Sequence, residues 1–149
     1  MDAIFYQSIQ YYITEDERYA ESAIEMIEAW ATTLEFIGGN VPAIASADRG
    51  VKMITGAEIL RYNYNGWTNN LTQITEAYAR EVLLPPLYLP DPTRTANQGS
   101  TQMAGAIAIA VYLNDVTLFN QVVNAFLNEP CAGISNTCLL YTSPSPRDA

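Results

Sequence analysis

Thr95-Ala96-Asn97-Gln98-Gly99-Ser100 runs directly into Met103 to Leu113, a stretch that is apolar on nearly every side. A helix at the surface of a globular protein needs a polar face, and this one has almost none. It is therefore expected in an inner layer of helices, starting at Ser100. Two side-chain amides and a glycine stand at its mouth, an arrangement suited to holding a carboxamide at the floor of a cleft.

Working outward, Asn114-Asp115 is a short turn, after which Val116, Phe119, Val122, Val123 and Phe126 mark the buried face of a sixth helix. On the other side lies a proline-rich loop, Pro85 to Gly99, where Pro85, Pro86, Pro90 and Pro92 forbid a helix. A fourth helix is expected over Leu71 to Leu84, with Thr68 as its cap, and a third over Asp48 to Tyr62. Gly38-Gly39-Asn40 and Pro42 open a loop to about Ala47. Before it, Ala20, Ala23, Ile24, Ile27, Trp30, Ala31 and Leu34 recur at helical spacing opposite Glu21, Glu25 and Glu28. Thr14 and Glu17 form a capping box for that second helix. The first helix spans Asp2 to Ile13, with Ile4, Phe5, Ile9, Tyr12 and Ile13 on or near its apolar face.

The pattern is three inner-then-outer hairpins whose inner helices recur about every fifty residues. It predicts an all-α fold, part of an (α/α) toroid or helical array. Long loops precede the inner helices and so share one rim, with short turns on the other. Asn40, Asp48, Arg49, Arg94, Asn97 and Gln98 all fall at the long-loop rim, which makes it the expected binding side.

Composition narrows the function. Of 149 residues 49% are hydrophobic and 15% charged, which fits one globular domain with a core. No apolar run reaches the length of a membrane span and no signal peptide opens the chain. Net charge is −9, and eight of the sixteen acidic residues lie between Asp2 and Glu35 as a solvated outer face. There is no basic stripe, so nucleic acid is not an expected partner. Histidine is absent from the chain, which excludes His-based triads and the usual zinc sites within it. Cys131 and Cys138 have neither disulfide-framework nor metal-ligand spacing, and no cofactor or metal is expected. Asn70-Leu71-Thr72 is a glycosylation sequon.

The ends read differently. The first helix opens without an outer partner, and Leu139 to Ala149 has no periodicity related to the hairpins. The expectation is a partial toroid domain over residues 1–137, a non-native tail over 138–149 resembling translated adapter sequence, and a fragment of a longer protein.

Several segments carry a family resemblance. They are Tyr12-Ile13-Thr14-Glu15-Asp16-Glu17-Arg18-Tyr19-Ala20, Ile27-Glu28-Ala29-Trp30, Ala57-Glu58-Ile59-Leu60-Arg61-Tyr62 with Gly66-Trp67, Ala96-Asn97-Gln98-Gly99-Ser100, and Ala108-Ile109-Ala110-Val111-Tyr112-Leu113-Asn114-Asp115. With them the chain resembles the alginate-lyase-like polysaccharide lyases of the (α/α) toroid class, over most of residues 1 to about 137. The resemblance implies a secreted, extracellular enzyme that cleaves a uronic-acid polysaccharide by β-elimination. That reaction removes the proton α to the uronate carboxylate and expels the 4-O-linked sugar, so donors must neutralise a dianion-like intermediate. Asn97 stands where the resemblance puts that role. Gln98, Arg49, Arg94 and Asn40 are the candidate substrate contacts.

Each candidate also has a plainer reading. Asn97 suits a helix cap, and surface arginines are usually just solvated. Trp30 and Trp67 fit core packing better than sugar stacking. Relatives commonly add a histidine, and this chain has none, so an inactive fragment is expected, with its base and acid elsewhere. Two other classes remain open: a helical-repeat module that binds proteins without catalysis, and a toroid glycoside hydrolase needing paired carboxylates. For the latter, Asp48 and Asp91 are the only rim acids, and nothing pairs them.

Overall fold

A computed structural model describes residues 1–87 and 96–128; residues 88–95 of the proline-rich loop, with Asp91 and Arg94 among them, both cysteines and the tail lie outside the described residues. Every regular element among the described residues is helical. The helices are α1 (Asp2–Thr14), α2 (Glu17–Thr33), α3 (Pro42–Ala45), α4 (Val51–Asn63), α5 (Asn69–Tyr78), α6 (Ala96–Tyr112) and α7 (Val116–Asn128). A π-helical turn, Ser46–Gly50, joins α3 to α4, and another, Ala79–Leu83, extends α5 towards a 3-10 turn at Pro85–Leu87.

The three inner helices lie side by side, with α4 between α1 and α6. They run in the same direction. At one end Lys52 Nζ reaches Asp2 at 3.1 Å; at the other the Tyr11 hydroxyl donates to the Asn63 carbonyl at 2.9 Å. Close approach needs small residues at the crossings. A Cβ on Gly56 would stand 3.0 Å from Ile4 Cγ2, and one on Gly105 would stand 3.0 Å from the Cα of Ala47. Behind this layer α2 packs on α1 and on α5, and α7 packs on α6. The core between the layers holds Ile4, Ile27, Met53, Leu60, Leu83, Leu87 and Ile109, each fully buried. Truncating one of these to alanine costs about 2–5 kcal/mol.

Several boundaries differ from the sequence reading. The second inner helix starts at Pro42, because proline lacks only an N–H that the first turn would leave unbonded. The third starts at Ala96 instead of Ser100, which carries Asn97 and Gln98 into its first turn. The cap of α2 is Asp16, whose carboxylate accepts from the Arg18 N–H at 3.1 Å. Thr14 instead ends α1, where its hydroxyl donates to the Gln10 carbonyl and accepts from the Asp16 N–H at 3.3 Å, one residue short of the first turn of α2. Thr68 caps α5 as expected, accepting from Leu71 N–H.

Some expected core positions face water. Tyr12 and Ile13 near the end of α1 are exposed, as are Trp30 near the end of α2 and Val116 and Phe119 at the start of α7. In α7 the buried pair is Leu118 and Val122. Trp67 does pack against the core, and its indole N–H bonds Thr72 Oγ1 at 2.9 Å.

The two π turns touch. The buried Ser46 hydroxyl donates to the Leu83 carbonyl at 2.6 Å. Gly50 lies against the same leucine, where a Cβ would meet Leu83 Cδ2 at 2.7 Å. Each π turn widens its helix by one residue, which leaves carbonyls that need outside donors. Ser46 supplies one.

Candidate functional site

Among the described residues, the inner layer has one face that no helix covers. On α4 the buried side runs through Met53, Ile54, Ala57 and Leu60, towards the outer helices. On the opposite side Thr55 and Tyr62 are exposed, with Lys52 and Ile59 half-buried along the same stripe. On α6 the matching stripe is Asn97, Thr101, Ala104, Ala108 and Val111, spaced three or four apart. Asn97 is exposed at the first turn of that stripe, at the long-loop end. The helix fixes its backbone, because the Thr101 hydroxyl donates to the Asn97 carbonyl at 2.7 Å. Asn97 is therefore inside the helix, and it is not the cap that the plainer reading offered.

Gln98 is half-buried beside it, and Gly99 is buried. One turn on, Gln102 is 2% exposed, and its amide nitrogen lies 3.3 Å from the Leu87 carbonyl. This side chain ties the start of α6 to the 3-10 turn that ends the preceding hairpin. Sequence reasoning passed over it, although a glutamine inside an otherwise apolar helix is a signal of a buried polar tie.

The charges at this rim are few. Lys52 is held between Asp2 at 3.1 Å and Asp48 at 3.3 Å. Its ammonium pKa is raised, first by the bond to Asp2 and then by that to Asp48. Arg49 is exposed and makes no ion pair among the described residues. Asn40 is exposed in the bend before Pro42, next to Gly39, whose φ of 103° suits glycine. Asn40, Arg49, Asn97 and Gln98 thus sit at one end of the inner layer. Asn40, Arg49 and Asn97 are each exposed, and no hydrogen bond joins them to one another. Arg94 lies outside the described residues.

Exposed tyrosines flank this layer: Tyr62 shares the uncovered stripe of α4, whereas Tyr6 lies on the side of α1 opposite the Ile4 and Ser8 contact with α4, at the edge of the layer. Tyr6 on α1 is 67% exposed and Tyr62 at the far end of α4 is 74% exposed. An aromatic ring in such a place offers an apolar platform to a sugar ring. Their helical spacing from Asp2 and from Thr55 is the sequence signal that identifies them.

The opposite rim is built differently. Arg61 donates to Glu58 at 2.5 Å, to Glu76 at 3.4 Å and to the Tyr112 carbonyl at 3.0 Å, and its guanidinium lies 4.3 Å from the centre of the Tyr112 ring. Burial pushes the Tyr112 phenol up to about 12, so it stays neutral. Partial burial also raises the Glu58 carboxyl, against the lowering effect of Arg61. A cavity of about 390 Å³ opens here, lined by Arg61, Tyr62, Glu76, Val111, Tyr112 and Asn114. Its one guanidinium is already paired with Glu58 and with Glu76, which leaves no unpaired positive charge for an anionic ligand.

The chain belongs to the alginate lyase family, whose sequence model matches residues 1–132. Membership places it among the polysaccharide lyases. No curated protein and no solved structure matches the chain. Among the described residues no helix is long and apolar enough to cross a membrane, and no cluster of His, Cys, Asp or Glu is arranged to hold a metal ion.

Proposed function

We propose that this protein is a secreted lyase that acts on alginate or a related polyuronate by β-elimination. The observation that carries the reading is the position of Asn97: an accessible carboxamide, fixed by α6, at the long-loop end of the uncovered inner face, within a family-matched chain. In the proposed step a base removes the proton on the carbon next to the uronate carboxylate. Negative charge then builds on the carboxylate oxygens, and the Asn97 amide N–H donates to them. An amide does this at any working pH because it does not titrate. Expulsion of the 4-O-linked sugar completes the elimination and leaves an unsaturated uronate end. Gln98 and Asn40 bind neighbouring hydroxyls or carboxylates. Arg49, with Arg94, draws a polyanion towards a protein whose net charge is −9.

One observation favours a second reading, a module that binds without turnover: no residue of the 149 is histidine, the group relatives commonly set beside the amide. Both readings are tested by incubating the protein, in its longest natural form, with polymannuronate, polyguluronate and polyglucuronate while following ultraviolet absorbance of the unsaturated product. Rising absorbance supports the lyase. Saturable binding with flat absorbance supports the module. Neither binding nor product, from protein shown to be folded by circular dichroism, rejects the polyuronate assignment.

A further inference from the structure

Asn70-Leu71-Thr72 has the pattern that N-linked glycan transfer requires, and the structure sets it where a glycan fits. Asn70 lies in the first turn of α5 and is exposed, while Leu71 beside it turns into the protein at 3% exposure. The Asn70 carboxamide makes no hydrogen bond among the described residues, so replacing one of its amide hydrogens by a sugar breaks no contact. The position is at the short-turn rim, the far end of the inner helices from Asn97. A branched oligosaccharide there leaves the long-loop rim open to a polymer.

We propose that Asn70 carries an N-linked oligosaccharide in the secreted protein, an assignment that rests on the extracellular reading above. In the transfer, Asn70 Nδ2 bonds to the anomeric carbon of a lipid-pyrophosphate-linked oligosaccharide. The anomeric C–O bond breaks, the lipid pyrophosphate leaves with its electron pair, and the amide proton passes to a base of the transferase. No redox partner is involved. The folded geometry also fixes when this happens. Thr72 Oγ1 accepts from the Trp67 indole N–H at 2.9 Å and lies 3.4 Å from the Thr68 carbonyl. A transferase must read that hydroxyl, so the sugar is added before the turn between α4 and α5 closes onto Thr72.

The test is to express the chain behind a cleavable secretion leader in a eukaryotic host, which delivers it to the glycosylation machinery whatever its natural destination. The expected result is a mass excess removed by an amide-cleaving glycosidase, with peptide mapping placing the converted residue at position 70. Asn70→Gln abolishes the excess while circular dichroism stays that of the parent, and Thr72→Ser, which keeps the hydroxyl, retains it. A secreted parent chain without the excess, or an excess that persists in Asn70→Gln, overturns the assignment. Natural secretion is read separately, by locating the protein inside or outside the cells that make it, so the two ideas fail independently.

Discussion

The two rims of the inner layer use their polar residues in opposite ways. At the short-turn rim one set of polar groups ties the helices to each other. Arg61 joins α4, α5 and the end of α6, Arg80 pairs with Asp115 at 3.0 Å, and the Tyr11 hydroxyl bonds the end of α4. At the long-loop rim Asn40, Arg49 and Asn97 have no such ties between them, and only Lys52 is neutralised. Under the proposed function, one end of the hairpins holds the fold together and the other meets the polysaccharide.

Substitutions at the two ends should therefore separate activity from stability. Asn97→Ala is expected to lower turnover on polyuronate by roughly 10²–10³-fold, with the melting temperature unchanged; a variant with parental kcat removes the amide from the mechanism. Arg61→Ala is the mirror case. Removing the donor to Glu58, Glu76 and the Tyr112 carbonyl should cost about 2 kcal/mol in urea unfolding, with activity per folded molecule retained. If Arg61→Ala instead loses activity while its stability holds, the division between the rims is wrong.

Smaller effects sharpen the same picture. Arg49→Ala should weaken polyuronate binding by roughly two- to fivefold, and the difference should shrink as salt is raised. Titration calorimetry at two ionic strengths checks this, and an unchanged affinity at low salt excludes Arg49 from the site. At the other rim, the Asp115 carboxyl is held below its ordinary range, first by the Leu118 N–H and then by Arg80. A depressed folded-state pKa means that its stabilisation is present above the unfolded pKa and is lost as pH falls through the folded value. The melting temperature should therefore fall in acid below about pH 4, and less steeply in Asp115→Asn. Equal slopes for the two proteins count against this role.

Much of the fold was legible because hydrophobic spacing reports a buried face directly. The hairpin order, the Thr68 cap and the inner position of the third inner helix all follow from that. Helix starts were less legible. Pro42 reads as a breaker in isolation, yet at the first turn it costs the helix nothing. Asn97 and Gln98 read as loop because polar residues and glycine cluster there, although they begin α6. Tyr12, Trp30 and Phe119 are apolar enough to suggest burial, but each lies where no other described helix covers it. As for the site, spacing placed Asn97 and Arg49 at one end and sets Asp48 four residues before Lys52, but no pattern announces that Asp2 of α1 joins that ion pair.

The contact between Ser46 and Leu83 has a consequence for how this hairpin can vary through evolution. Each widened turn holds one residue more than a regular helix would, and losing it swings the preceding segment by about 100° around its axis. A deletion in residues 46–50 alone would rotate Pro42 and its neighbours out of register with the 79–83 turn opposite. Length changes in these two places should therefore be inherited together, as paired one-residue gaps.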